Sequence, residues 1–231
     1  MTYVIQAPAV VAVPVAGTDA SFPVRRIYCV GRNYLEHIRE MKESDERDPP
    51  FFFQKPRDSL VLSGQSLPYP PATDDFQFEV ELVVAIGKAG RAVSKEQALD
   101  HIFGYAVGFD MTRRDRQRES GKKGLPWEIG KSFDASAPCG QLHPVSEVGH
   151  IRQGRIFVSV NGQAKQDSVI EKMIWTVPEI VSNLSHLYDL GEGDLIYTGT
   201  PAGVAPVLPG DRLLGRVDGL SDLEITIGDR R

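Results

Sequence analysis

Two glutamates one residue apart, Glu79 and Glu81, stand at the mouth of an apolar run that continues to Ile86, and Asp110 ends the next apolar run, residues 104–110. Alternate residues of a strand share a face, so Glu79 and Glu81 point the same way with about 6.6 Å of backbone rise between them. Like charges at that distance repel by roughly 2 kcal/mol at an effective dielectric of about 20, and burial adds to the cost. A positive group between them removes the conflict. Hard carboxylate oxygens suit magnesium, manganese or calcium better than zinc or copper, which makes Glu79, Glu81 and Asp110 candidate ligands of a divalent cation. The alternative is an edge strand whose first residues face water.

His37 and Glu40 are three residues apart, which places them on one face of a helix. A carboxylate beside an imidazole holds its tautomer and raises its basicity, so the pair could activate water; a solvated helix face is the competing account. Lys131 lies in a mostly uncharged stretch, residues 128–133. An ammonium in apolar company needs a partner, so Lys131 either faces an anion in a cleft or snorkels to the surface. Arg113, Arg114, Arg116 and Arg118 alternate with Asp115, Gln117 and Glu119. Most of that pattern is solvated helix, yet one or two of its side chains could reach a substrate carboxylate. Gly199 and Gly203, around Thr200, allow a ligand close to the backbone without matching any phosphate loop. Cys29, Cys139, His101, His143, His150 and His186 show no metal-ligand spacing and read as structural.

The elements that must position these groups are mostly strands. Apolar runs are short and rich in β-branched residues, and 22 glycines and 16 prolines break them up. Residues 1–24 read as an irregular or strand-bearing arm, ahead of a single catalytic domain over residues 25–231. A strand is expected at residues 26–30 and a short amphipathic helix at 33–41, followed by a charged loop, 42–48, closed by Pro49 and Pro50. Ser94 and Gln97 predict a capping box opening a helix to about His101. Thr112 predicts the cap of a helix over 113–120 that Gly121 ends. Asn161-Gly162 predicts a hairpin turn, and Thr176, Val177 and Pro178 predict a helix to about Leu190. Short strands follow from Asp194.

With 231 residues, 41% of them hydrophobic, the chain can bury a large core. A net charge of −5 argues against nucleic acid as a partner. Two cysteines form no disulfide framework, and the apolar N-terminus lacks a basic start and is broken by Pro8 and Pro14. No run approaches the roughly eighteen apolar residues of a membrane span. A cytoplasmic protein with no membrane partner is expected.

Taken in order, several blocks resemble the fumarylacetoacetate hydrolase family. They are residues 28–34 with His37 and Glu40, residues 51–56, Glu79-x-Glu81, residues 108–112, residues 124–133, and residues 198–201. The likeness covers roughly residues 25–227 and is nearest the short acylpyruvate-hydrolase branch, particularly its bacterial fumarylpyruvate-cleaving group. It implies an α+β, strand-rich mixed β-roll with a few short helices, usually a homodimer, acting on a small 2-oxo acid in aromatic-compound catabolism by the gentisate route. It implies Mg2+ or Mn2+ on Glu79, Glu81 and Asp110, a water-activating pair of His37 and Glu40, and Lys131 helping to hold water and substrate. Arg32, Arg114, Gln117 and Thr200 become candidate substrate contacts, with Arg32 and Arg114 competing for a distal carboxylate. Longer members carry a fourth acidic ligand that this chain lacks in recognisable form.

The implied activity is metal-dependent hydrolysis of the carbon–carbon bond of an acylpyruvate, with fumarylpyruvate giving fumarate and pyruvate. Oxaloacetate decarboxylation and 2-oxo acid tautomerisation share the same metal site. Three carboxylates on a divalent ion give an expected site charge of −1, with about three of six octahedral positions open.

Overall fold

The structure, a computed structural model, describes residues 2–40 and 48–230, and of residues 38–40 only the backbone. The loop expected over 42–48 therefore lies, Asp48 apart, outside the described residues, and so does the side chain of Glu40.

A two-stranded ribbon, β1 (Ala12–Pro14) and β2 (Ser21–Pro23), precedes β3 (Arg26–Gly31), α1 (Leu35–Glu40) and β4 (Phe51–Lys55). Next come β5 (Leu60–Leu62), β6 (Ser66–Tyr69), β7 (Phe76–Gln77), β8 (Val80–Ile86) and β9 (Ile102–Phe109). The middle of the chain supplies β10 (Thr112–Arg113), α2 (Arg114–Lys122), α3 (Glu128–Lys131), β11 (Ala137–Cys139), β12 (His143–Pro144) and α4 (Val145–Val148). The last third adds β13 (Arg155–Val160), β14 (Gln163–Val169), α5 (Val177–Leu187), β15 (Asp194–Tyr197), β16 (Arg212–Val217) and β17 (Leu223–Arg230).

An eight-stranded mixed sheet runs β4-β3-β15-β8-β9-β11-β5, with β12 also on β9; a five-stranded sheet runs β14-β13-β16-β17-β6. The expected α+β, strand-rich roll is what forms. Strand β8 is central rather than an edge, paired antiparallel to both β15 and β9, and every one of its residues is buried. That explains its near-continuous apolar run, since a strand covered on both faces has no polar side to show. Leu82, Val84 and Ile86 join one core cluster with Ile156, Val158 and Leu213 of the smaller sheet. Val83 and Ala85 turn to the opposite face and pack with Val13 and Phe22 of the N-terminal ribbon. No described helix is long and apolar enough to cross a membrane.

Local signals hold where the chemistry is local. Asn161 and Gly162 have φ of 51° and 79°, the left-handed pair a two-residue hairpin turn demands, and β13 and β14 flank them. Helix α5 begins as expected after Thr176, whose N–H and hydroxyl both donate to Glu179, but it ends at Leu187, short of Leu190.

Other expectations need correction. The segment after Ser94 forms only a 3-10 turn, Ala98–His101, not an α-helix. Its backbone closes i→i−3 bonds, Gln97 to Ser94, Ala98 to Lys95 and Asp100 to Gln97, and His101 is tied back to the Lys88 carbonyl. Thr112 caps nothing. In β10 it pairs with Gln77 of β7, and its hydroxyl donates to the Asp110 carbonyl, so α2 starts at Arg114, one residue later than expected. Gly121 lies inside α2, and the left-handed residue beyond its end is Gly124, φ 63°.

Candidate metal centre and its cavity

Strands β3, β9 and β15 finish at the same end of the large sheet where β4 and β8 begin. The residues just beyond those ends meet there. Glu79 precedes β8 rather than sitting in it, Glu81 is its second residue, and Asp110 follows β9. Their carboxylate oxygens lie within 4.8 Å of one another, and all three side chains are buried. The Asp110 N–H donates to the Glu79 carbonyl at 2.9 Å, which pins the two loops together.

Three buried cations surround the trio. Lys131, brought in by α3, donates to Glu79 Oε2 at 2.9 Å, Asp110 Oδ2 at 2.8 Å and Thr112 Oγ1 at 2.7 Å. An ammonium has three N–H groups, so these contacts use all of them. Lys55, the last residue of β4, places Nζ 2.8 Å from Asp110 Oδ1 and also donates to the carbonyls of Met111 and Lys131. Arg114 is 1% exposed and donates through Nη2 to Glu79, through Nε to Gln77 at 2.8 Å and through Nη1 to Gln117 at 2.6 Å.

Glu81 differs from its neighbours: its carboxylate accepts a backbone amide, Gly199 N–H, at 2.7 Å. Gly199 has φ 96°, and a Cβ there would come 2.6 Å from that of Asn33, so only glycine lets this amide reach the carboxylate. The consequence is electrostatic. Burial works to raise Glu79, but Lys131 and Arg114 reverse it and hold that carboxyl well below the usual range. Burial, then the neighbouring Asp110 and Glu79, push Glu81 well above it. For Lys131 burial acts downward, and Asp110 and Glu79 outweigh it, so its pKa is raised.

These contacts correct the expected site charge. Glu79, Glu81 and Asp110 are matched by Lys55, Arg114 and Lys131, which makes the cluster formally neutral before any metal is considered. The donor set still fits a hard divalent cation: three close carboxylates, one of them disfavoured as an anion by its two neighbours. With such an ion the site carries +2, a charge suited to a dianionic ligand.

Apart from Glu40, whose side chain lies outside the described residues, one cavity collects the other predicted residues. His37, Arg32, Arg114, Gln117, Lys131 and Thr200 all line it with the three carboxylates. His37 is buried on α1, whose entry is fastened by Asn33: its side-chain amide donates to the carbonyls of Thr198 and Trp175 and accepts the Trp175 N–H. The Thr200 hydroxyl donates to the Val80 carbonyl and accepts from Gln166 Nε2. Gln166, in turn, accepts the Val80 N–H, so the smaller sheet braces the start of β8.

Sequence reasoning missed Lys55, Gln77, Thr112 as a lysine partner, and Gln166. Lys55 carried a usable signal, since it is a lone cation ending an apolar run, the same pattern that marked Lys131. The glutamines carried none.

The chain is similar over most of its length to proteins of known activity. A fumarylpyruvate hydrolase of Ralstonia sp is 48% identical over 178 residues, 77% of this chain and 92% of that protein. The crystal structure of fumarylpyruvate hydrolase from Pseudomonas aeruginosa in complex with Mn2+ and pyruvate superposes with a TM-score of 0.97 at 49% identity, covering 99% of this chain and 100% of that one. The mitochondrial oxaloacetate tautomerase FAHD1 of Bos taurus is 38% identical over 203 residues, 88% of this chain and 91% of that protein. With the fumarylacetoacetate (FAA) hydrolase C-terminal model matching residues 26–228, the chain belongs to the fumarylacetoacetate hydrolase family.

Proposed function

We propose that this protein hydrolyses the carbon–carbon bond of an acylpyruvate, with fumarylpyruvate as its substrate and Mg2+ or Mn2+ as its metal. The observation that carries the proposal is the meeting, in one cavity, of a buried three-carboxylate group and a histidine from a separate element. The likeness to fumarylpyruvate hydrolases over nearly the whole chain supports it.

Glu79, Glu81 and Asp110 would hold the ion. When bound, a divalent ion there supplies Lewis acidity to the carboxylate and keto oxygens of a 2-oxo acid. Lys131, Lys55 and Arg114 fix the carboxylates in place, so the site does not reorganise as charge develops. His37 takes a proton from water as its oxygen adds to the carbonyl beyond the pyruvyl methylene, and Glu40, three residues on in the sequence, is the partner that the spacing offers for its ring. The bond between that carbonyl carbon and the methylene breaks, its electron pair stays on the methylene carbon, and the proton held by His37 returns there. The products are fumarate and pyruvate, and one water is consumed.

An ultraviolet assay with fumarylpyruvate, acetylpyruvate and oxaloacetate, each with and without Mg2+ and Mn2+, tests this. Metal-dependent loss of the fumarylpyruvate chromophore with release of fumarate is expected. The second reading is oxaloacetate tautomerisation, favoured by the 38% identity to the Bos taurus enzyme. A response to oxaloacetate alone would replace the first reading with that one.

A further inference from the structure

Arg32 and Arg114 both line the cavity, and the structure gives them different positions. Arg114 is buried in the floor, where each guanidinium nitrogen donates to Glu79, Gln77 or Gln117. Arg32 is exposed at the mouth. Its φ is 62°, a left-handed conformation that a non-glycine residue keeps only when its surroundings impose it. The preceding Gly31 lies so close to the Phe51 ring that a Cβ there would come 2.0 Å from it. Pressed against Phe51, the chain turns the Arg32 guanidinium toward two rings, with Cζ 6.0 Å from the Phe51 centroid and 5.9 Å from that of Trp127.

Those rings continue inward. Phe51 and Trp127 meet edge to face at 4.8 Å, Phe53 lies 6.1 Å from Trp127, and Lys131 Nζ is 5.4 Å from the Phe53 centroid. A run of inclined aromatic rings thus leads from the charged floor to a cation at the opening. Its apolar surface and the cation at its end suit an unsaturated chain with a carboxylate at its far end.

We propose that Arg32 is a specificity-determining residue that binds the terminal carboxylate of the acyl group, while the unsaturated part of that group lies along Phe53 and Trp127. The proposal rests on the acylpyruvate-hydrolase reading and deepens it: the preferred substrates are those whose acyl chain is flat and ends in a carboxylate. A guanidinium forks onto a carboxylate through two parallel hydrogen bonds, which a terminal methyl cannot accept.

The test compares kcat/KM for fumarylpyruvate and acetylpyruvate in the wild type, Arg32→Asn and Arg32→Lys. Asparagine removes the cation and tolerates the left-handed backbone; lysine keeps the charge and loses the fork. The wild type is expected to prefer fumarylpyruvate. That preference should fall at least about tenfold in Arg32→Asn, mostly through the KM for fumarylpyruvate, and recover in part in Arg32→Lys. An unchanged ratio in Arg32→Asn overturns the proposal, as does a wild type that cleaves both substrates equally well. Should Arg32→Asn fail to fold, the wild-type ratio and Arg32→Lys decide between the same outcomes. A wild type that cleaves neither substrate with either metal removes the hydrolase reading itself, whereas good cleavage with an unchanged ratio removes only the role of Arg32.

Discussion

The floor and the mouth of the cavity are built on opposite terms. On the floor, six charged side chains are buried together, and their positions come from the ends of strands in the large sheet, from the first residue of α2 and from α3. At the mouth, His37 rides on a six-residue helix, Arg32 occupies a left-handed turn and Trp127 stands just before a four-residue helix. The difference follows from desolvation. A buried charge costs several kcal/mol unless it is paired, so a floor of six tolerates little substitution once its pairs are set. The mouth, nearer solvent, can change what it recognises without dismantling the pairs below. The floor therefore sets the kind of chemistry, and the mouth sets where the proton goes and which acyl group is taken.

The sharpest way to break that division is Glu81→Ala. It removes one of three ligands, so Mn2+ affinity measured by calorimetry should fall by more than the roughly 100-fold typical of outer-sphere changes, and metal-dependent turnover should vanish. Undiminished Mn2+ binding would show that the floor is not the metal centre. His37→Ala should lower kcat by about 10²–10⁴-fold while Mn2+ affinity holds, because it takes a proton carrier from the mouth and leaves the floor alone. Full hydrolytic activity in that variant would take His37 out of the mechanism.

Lys55→Met asks whether the floor depends on its pairs. Removing one partner of a buried pair typically costs about 3–5 kcal/mol, so the urea midpoint should drop, and added Mg2+ should restore more stability to the variant than to the wild type. A midpoint equal to that of the wild type would show that Lys55 is not needed there.

The smallest effect lies outside the cavity and serves as its control. Burial tends to raise Glu179, but the Thr176 N–H and Lys95 pull it down to about 2 from an ordinary value of 4.5. A folded-state pKa below the unfolded one gives stability that is present above about pH 4.5 and lost as pH falls through about 2. Glu179→Gln should flatten that part of the Tm-against-pH curve and cost about 1 kcal/mol at neutral pH. A curve that keeps its full acid slope would place the acid sensitivity on other carboxylates.

How much of this was legible depends on how local each signal is. The Asn161-Gly162 hairpin and the start of α5 are set by residues within one turn, and both formed where the sequence placed them. The 3-10 turn Ala98–His101 was misread because a contact made only on folding, His101 to the Lys88 carbonyl, holds its end, which the cap before it does not reveal. Thr112 was misread for a similar reason, since Lys131 and the Asp110 carbonyl, brought close by folding, claim the hydroxyl that a cap would use.

By itself the sequence determined which groups were available: two glutamates too close to share a face without a cation, an aspartate ending the next apolar run, a histidine on a helix, and apolar runs too short for much besides strands. Only the tertiary structure decided that Lys55, Arg114 and Lys131 neutralise the carboxylates, that Glu81 rests on the Gly199 amide, and that Arg114 lies in the floor while Arg32 stands at the mouth. Charge interactions depend on distance through space and on burial, and residues far apart in the chain acquire both only when the strand ends converge.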